Sequence, residues 1–235
     1  MSNITDNIRR VQREIVQAAR RARRDPAAVK IVAVSKGVPP DVIRNAQAAG
    51  LTAFGENRVQ EFLRKHSEID GGVEWHFIGY LQRNKVKHLL ERVNLIHSLD
   101  RWELAVELDR WALRKGHIFN ALVQVNVARE PSKHGFYEEE VSDFLAAVSE
   151  LPGVRVRGLM TMAPYFMDPE DSRPVFRMLR ELACKCRGVP GVSLEFLSMG
   201  MTQDFAVAVE EGANMVRIGT AIFGRRQYQG RESHE

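Results

Sequence analysis

The 235 residues, 44% hydrophobic and 27% charged with 17 glycines and 9 prolines, are enough for one large α/β domain or two small ones, and their composition is globular rather than disordered or fibrous. The net charge of +4 is carried by the N-terminus, where seven arginines in residues 1–24 face only Asp6 and Glu14, leaving the rest of the chain at −1; a stripe on one terminal helix lacks the groove or patch that a nucleic-acid partner needs. No apolar run approaches bilayer length, no apolar leader opens the chain, and two cysteines, Cys184 and Cys186, make neither a disulfide framework nor a four-ligand metal site, so a cytoplasmic protein without a membrane partner is expected.

In chain order, Ile4, Ile8, Val11, Ile15 and Ala22 recur at helical spacing, which predicts an amphipathic helix ending near Asp25-Pro26. Strand 1 follows at about 30–35, then a helix over 41–49 that Gly50 terminates. Strand 2 is 51–54, and the next helix begins near Arg58. Strand 3 at 73–78 leads through Gly79 into a helix over 82–91. Strand 4 is 94–97, with Ser98-Leu-Asp100 opening a helix that ends at Gly116. Strand 5 at 121–127 precedes a polar loop and a helix over 138–149; strand 6 at 155–160 precedes a loop and a helix over 171–187. Strand 7 is 193–197, with a helix over 203–211, and strand 8 is 214–218.

Eight strands alternating with helices, and no linker between halves, predict a single (β/α)8 TIM-type barrel domain over 1–235, with a core at about 6–224 and a polar, frayed tail at 225–235. The alternative is an open Rossmann-like sheet, but no dinucleotide glycine fingerprint follows strand 1. A helix precedes strand 1 while little follows strand 8, so the first helix is expected to cover barrel wall that a last helix would otherwise cover.

Chemistry in such a barrel belongs at the C-terminal ends of the strands, where Lys36, Asn57, Ser98, Ser198 and Thr220 fall, with Arg217 just inside strand 8. An amine where a buried strand stops is costly to keep charged, and a lysine of lowered pKa is a nucleophile toward carbonyls, including the aldehyde of pyridoxal phosphate. The bland alternative is a surface lysine with its stem packed along the protein. Ser198-Met199-Gly200 and Gly219-Thr220 occupy the loops after strands 7 and 8, where barrels often hold phosphate. Arg217 shares strand parity with Gly219 and would reach the far end of a phosphorylated ring; the alternative is a structural salt bridge. Set against a pyridine nitrogen, its permanent charge disfavours protonation there and weakens the ring as an electron sink. His76 reads equally as a hydrogen-bonded interior histidine. His88, His97, His117 and His134 have no metal-ligand spacing, so no metal is expected. Met160, Met162, Met199 and Met201 fit either a ring wall, beside Gly200, or plain core.

Several motifs are more specific than these single residues. Val34-Ser-Lys36, Phe54-Gly-Glu-Asn-Arg-Val-Gln-Glu61, His76-Phe-Ile-Gly79 and Leu81-Gln-Arg-Asn-Lys85 come first. Ser132-Lys-His-Gly135, Gly158-Leu-Met160, Leu197-Ser-Met-Gly-Met201 with Asp204, and Val216-Arg-Ile-Gly219 follow. Together, over about residues 6–224, they resemble the YggS/PROSC family of pyridoxal 5'-phosphate (PLP) homeostasis proteins. The resemblance implies a barrel similar to the N-terminal domain of alanine racemase, with PLP as cofactor. By that likeness Lys36 forms the internal aldimine and Arg217 faces the pyridine nitrogen. Ser198, Gly219 and Thr220 hold phosphate, and Asn57 looks like a wall contact. Tyr80 stands where many members carry histidine and receives no catalytic role.

Racemases of the related fold take a second base, a tyrosine, from another domain, and Tyr80, Tyr137, Tyr165 and Tyr228 match no such motif. The resemblance therefore implies a non-catalytic PLP carrier or regulator, involved in vitamin B6 homeostasis, with apo PLP-dependent enzymes as partners and a monomeric or weakly dimeric state. The alternative is a PLP-dependent racemase or lyase of unidentified substrate.

Overall fold

In the computed structural model, which describes residues 3–69 and 71–224, eight short parallel strands close on themselves in sequence order. They are β1 (Lys30–Val34), β2 (Ala53–Glu56), β3 (Glu74–Phe77), β4 (Leu95–Leu99), β5 (Phe119–Gln124), β6 (Val154–Met160), β7 (Phe196–Ser198) and β8 (Met215–Ile218). The predicted tail from Arg225 lies outside the described residues. The helices are α1 (Ile4–Arg21), α2 (Pro40–Ala48), α3 (Val59–Glu68), α4 (Trp102–Lys115), α5 (Glu138–Ser149), α6 (Arg173–Lys185), α7 (Phe205–Glu210) and the single turn α8 (Thr220–Phe223). This is the predicted (β/α)8 barrel with an added N-terminal helix.

Strand pleating divides the apolar residues into two cores. Ala33, Phe54, Trp75, Ile96, Ala121 and Val216 face the helices and join one large cluster. Val32, Ala53, Leu95, Leu122, Met160 and Met215 fill the barrel interior as a separate small one. Registers of Val32 with Arg217 and of Gly55 with His76 put Arg217 and His76 on that interior face too. The interior therefore combines an apolar cluster with buried polar side chains.

The N-terminal helix does close the wall. Ile8, Val11, Ile15 and Ala18 are its buried stripe, and it packs on α7 and α8. The Asn7 amide donates to Ile222 O at 2.9 Å, tying the first helix to the last turn. Asn3 caps α1 by accepting from the Thr5 N–H.

Some boundaries differ from the sequence reading. The second strand is 53–56 rather than 51–54, because pairing with β1 and β3 selects Ala53–Glu56. The stretch expected as a helix over 82–91 is a 3-10 segment at Arg83–His88. No side chain caps its start, it is rich in cations, and burial of Leu81, Val86, Leu89 and Leu90 pulls it inward. Ser98 belongs to β4 and not to a helix start, its hydroxyl donating to Gly79 O. Strand 7 is only three residues long, at 196–198. Among the described residues, no helix is long and apolar enough to cross a membrane.

Candidate functional site

The turn that carries Lys36 is gripped on both flanks. Ser35 O accepts from Lys65 Nζ at 2.6 Å, and the Gly37 N–H donates to Glu61. The same Lys65 ammonium, fully buried, donates to Glu56 Oε1 and to Glu61 Oε1, each at 2.7 Å. The Ser35 hydroxyl donates to Glu56 Oε1 at 2.6 Å. A buried ammonium is tolerable only when paired and hydrogen-bonded in this way. Burial pushes the Glu56 carboxyl above its usual range even against the Lys65 ammonium. Glu56, Glu61 and Lys65 were assigned no role from sequence, although the Glu61–Lys65 spacing of four was legible as a helical ion pair.

Above this turn lies a cavity of about 730 Å³ at the C-terminal mouth of the barrel. Lys36, Arg217, Gly219 and Thr220 all line it, from β1 and β8, which are neighbours in the barrel. Lys133, Met162, Tyr165, Thr202 and Asp204 line it as well. Lys133 Nζ sits 2.6 Å from Glu130 Oε1. The Thr202 hydroxyl accepts from the Ala221 N–H at 3.4 Å, linking the β7 loop to the β8 loop. Asp204 accepts from the Met201 N–H at 2.6 Å, and burial raises its carboxyl pKa.

Arg217 is 4% exposed. Its guanidinium donates to Ser198 Oγ at 2.6 Å and to Thr161 O at 2.9 Å. Burial draws its pKa down to about 10, which Asp204 opposes, so it remains cationic at neutral pH. Behind Ser198, His97 Nδ1 lies 3.0 Å from the hydroxyl, and His97 Nε2 lies 2.8 Å from His76 Nδ1. His76 is thus the hydrogen-bonded interior histidine that one reading allowed.

The remaining expected residues are placed apart from the cavity lining. Ser198 is fully buried, with its hydroxyl taken by Arg217 and His97. Met160 belongs to the barrel interior, and Met199 to the core under the helices. Gly200, at φ 92°, is a packing residue: a Cβ there would fall 2.6 Å from the Ala208 Cβ. Asn57 meets Gly79 backbone to backbone, since a Cβ at Gly79 would lie 2.3 Å from Asn57 O. Tyr80 lies between the His134 ring, 4.4 Å away, and the Arg101 guanidinium, 4.5 Å away. Helix α8, at four residues, is too short for a dipole to aid phosphate binding, so any anion there relies on backbone and hydroxyl donors.

The family described as the alanine racemase N-terminal domain matches residues 1–227. A pyridoxal phosphate homeostasis protein of Aquifex aeolicus is 48% identical over 227 residues, covering 96% of this chain and all of that one. The chain belongs to the pyridoxal phosphate homeostasis protein family. Another member, from Pseudomonas aeruginosa, is 42% identical over 97% of this chain and 98% of its own length. Among solved structures, PipY of Synechococcus elongatus with PLP bound superposes with a TM-score of 0.81 at 36% identity, covering 94% of this chain and all of that chain. Alanine racemase of Corynebacterium glutamicum shares the fold at TM-score 0.69 and 18% identity, over 94% of this chain and 62% of that one.

Proposed function

We propose that this chain holds pyridoxal 5'-phosphate in the cavity at the barrel mouth and serves PLP homeostasis by storing, delivering or regulating the cofactor. One observation carries the reading: a single cavity gathers an amine, a buried guanidinium and a glycine–threonine turn in a chain of this family. The fit is chemical. Lys36 would offer its amine to the aldehyde, Arg217 would meet the ring nitrogen, and Gly219, Thr220 and Thr202 would hold the phosphate. Bound there, PLP supplies an electrophilic aldehyde and a conjugated ring. Ser198 acts through Arg217 rather than on the phosphate, because its hydroxyl is already engaged.

The reading as a carrier rests on family membership, with a damped electron sink at Arg217 and no matching second-base motif in support. A cation at the pyridine nitrogen keeps it unprotonated and leaves the ring a poor acceptor of electrons from a substrate. Tyr165 lines the cavity but is 73% exposed, which makes a poor shelter for a second base. Apo PLP-dependent enzymes are the recipients we infer, in the cytoplasm, as the two free cysteines favour.

The test is absorbance of the purified protein with PLP before and after borohydride, followed by peptide mass mapping. Label on Lys36 is expected, and Lys36→Ala should lose it. Normal labelling elsewhere in that variant refutes the assignment. Sustained turnover of an amino acid with deuterium entering at Cα would overturn the carrier reading.

A further inference from the structure

A line of polar side chains crosses the barrel interior from its lower mouth to the cavity. At the bottom, Lys30 Nζ pairs with Glu74 Oε2 at 2.6 Å. Glu74 Oε2 lies 3.8 Å from His76 Nε2, a buried nitrogen with no hydrogen-bond partner among the described residues. From His76 the line runs to His97, Ser198 and Arg217 through contacts of 2.8, 3.0 and 2.6 Å. His76, His97, Ser198 and Arg217 are all at least nine-tenths buried. Buried polar groups of this kind are costly unless each donor meets an acceptor.

Donor chemistry gives the line one direction. Arginine can only donate, so Ser198 Oγ accepts from it. The single serine proton then goes to His97 Nδ1, which must be bare. His97 carries its hydrogen on Nε2 and gives it to His76 Nδ1. His76 carries its own on Nε2, toward the Glu74 carboxylate. The reverse arrangement sets a bare His76 Nε2 against that carboxylate and leaves Ser198 accepting twice with its own proton unplaced. Two neutral imidazoles, both with hydrogen on Nε2, give every contact from Arg217 to His76 one donor and one acceptor and leave the His76 N–H facing the Glu74 carboxylate at 3.8 Å.

We propose that Ser198, His97 and His76 form a positioning chain that fixes the Arg217 guanidinium at the cofactor cavity and links its charge to Glu74 at the opposite mouth. The chain holds one edge of the guanidinium, with Thr161 O as the second anchor. This sets how the remaining N–H groups meet a ligand ring. The inference rests on the PLP reading of the cavity for its consequence, though not for the hydrogen-bond direction.

The first test uses the cofactor-free wild type, with ¹⁵N-labelled imidazoles read by long-range ¹H–¹⁵N correlation at neutral pH. Both His76 and His97 should be neutral with hydrogen on Nε2. A cationic ring, or hydrogen on Nδ1 of His97, overturns the chain. The second test is PLP binding. His97→Phe should weaken it about tenfold, the scale of one hydrogen bond to a charged group, and move the absorbance maximum of the bound cofactor. His97→Gln, whose amide keeps a donor and an acceptor, should recover part of both. Ser198→Ala combined with His97→Phe should be no worse than either alone, whereas Thr220→Ala with His97→Phe should be additive. Unchanged affinity and spectrum in a folded His97→Phe, or additivity of the Ser198 and His97 changes, refutes the positioning role. A wild type that takes up no PLP would instead defeat the cofactor reading, with the imidazole result still deciding the chain.

Discussion

Lys65→Met is the sharpest perturbation of the Lys36 turn. It keeps the buried stem and removes an ammonium that donates to Ser35 O, Glu56 Oε1 and Glu61 Oε1 at 2.6–2.7 Å. Glu56 is left fully buried with a carboxylate and only the Ser35 hydroxyl as donor. Breaking a buried ion pair from one side costs about 3–5 kcal/mol. For a domain of this size each kcal/mol lowers the melting temperature by about 2–4 °C, so a fall of about 6–20 °C is expected.

Adding Glu56→Gln should return part of that loss. Burial already disfavours the charged form of Glu56, and an amide still accepts from Ser35 while donating a hydrogen toward Ser35 O. Urea and thermal melts of the two variants, together with equilibrium dialysis of PLP, make the measurement. The folded variants should also hold PLP more weakly, because Lys65 no longer ties Ser35 O to the Glu61 carboxylate that accepts from the Gly37 N–H. A loss below about 1 kcal/mol in Lys65→Met, or a double variant as unstable as the single one, would refute the view that this triad is a coupled clamp.

Three further outcomes are expected. Thr202→Ala and Thr220→Ala should each weaken PLP retention by about 1.5–3 kcal/mol if their hydroxyls meet the phosphate, as read by dialysis, with little change in melting temperature. Gly79→Ala should destabilise the barrel, since its methyl would fall 2.3 Å from Asn57 O and 2.7 Å from Asn57 Cα; a melting temperature equal to wild type would contradict that packing. Burial, and then His76 and Arg217, hold His97 well below its usual value of 6.5, so the unfolded chain takes up a proton there that the folded one refuses. That contribution is intact above about pH 6.5 and is lost as pH falls, at up to about 1.4 kcal/mol per pH unit. The raised carboxyls of Glu56, Asp100 and Asp204 work in the opposite sense. The decisive measurement is therefore the difference in urea stability between wild type and His97→Phe, which should shrink as pH is lowered from about 7 to 5.

The barrel was legible because it is written in pattern: β-branched runs such as Ile31-Val-Ala-Val34, ended by glycine or proline, alternate with helical stripes such as that of α1. Lys36, Arg217, Gly219 and Thr220 were legible because strand ends and strand parity put them at one mouth. Ser198 shows where parity runs out. It has the right strand end and the right face, yet whether its hydroxyl meets solvent or Arg217 depends on a neighbour nineteen residues away. The Lys65 clamp was hidden for a similar reason. A lysine on a helix reads as solvated, and only the packing of α3 against β2 turns it inward. The failed helix over 82–91 was misread because its apolar residues fit a helical stripe, while its cations and missing cap favoured a tighter, shorter turn.

Two networks of buried polar groups, rather than one, hold the two ends of the cavity, and they are physically separate. The Lys36 turn is held from outside the barrel wall by β2 and α3, through Glu56, Glu61 and Lys65. Arg217 is held from inside the barrel by β7, β4 and β3, through Ser198, His97 and His76. Both are expensive in a structure this small, since each removes charges from water that an apolar core would not contain. Their common feature is that one ends on the residues flanking Lys36 and the other on Arg217, and Lys36 and Arg217 line the same cavity. Polar groups buried at such cost, one set fixing the chain on both sides of Lys36 and the other the Arg217 guanidinium, make geometric sense if those two groups must keep a fixed separation across one ligand. A loosely held lysine would still condense with an aldehyde. On the proposed reading, holding a ring nitrogen against Arg217 at the same time would require that neither residue give way.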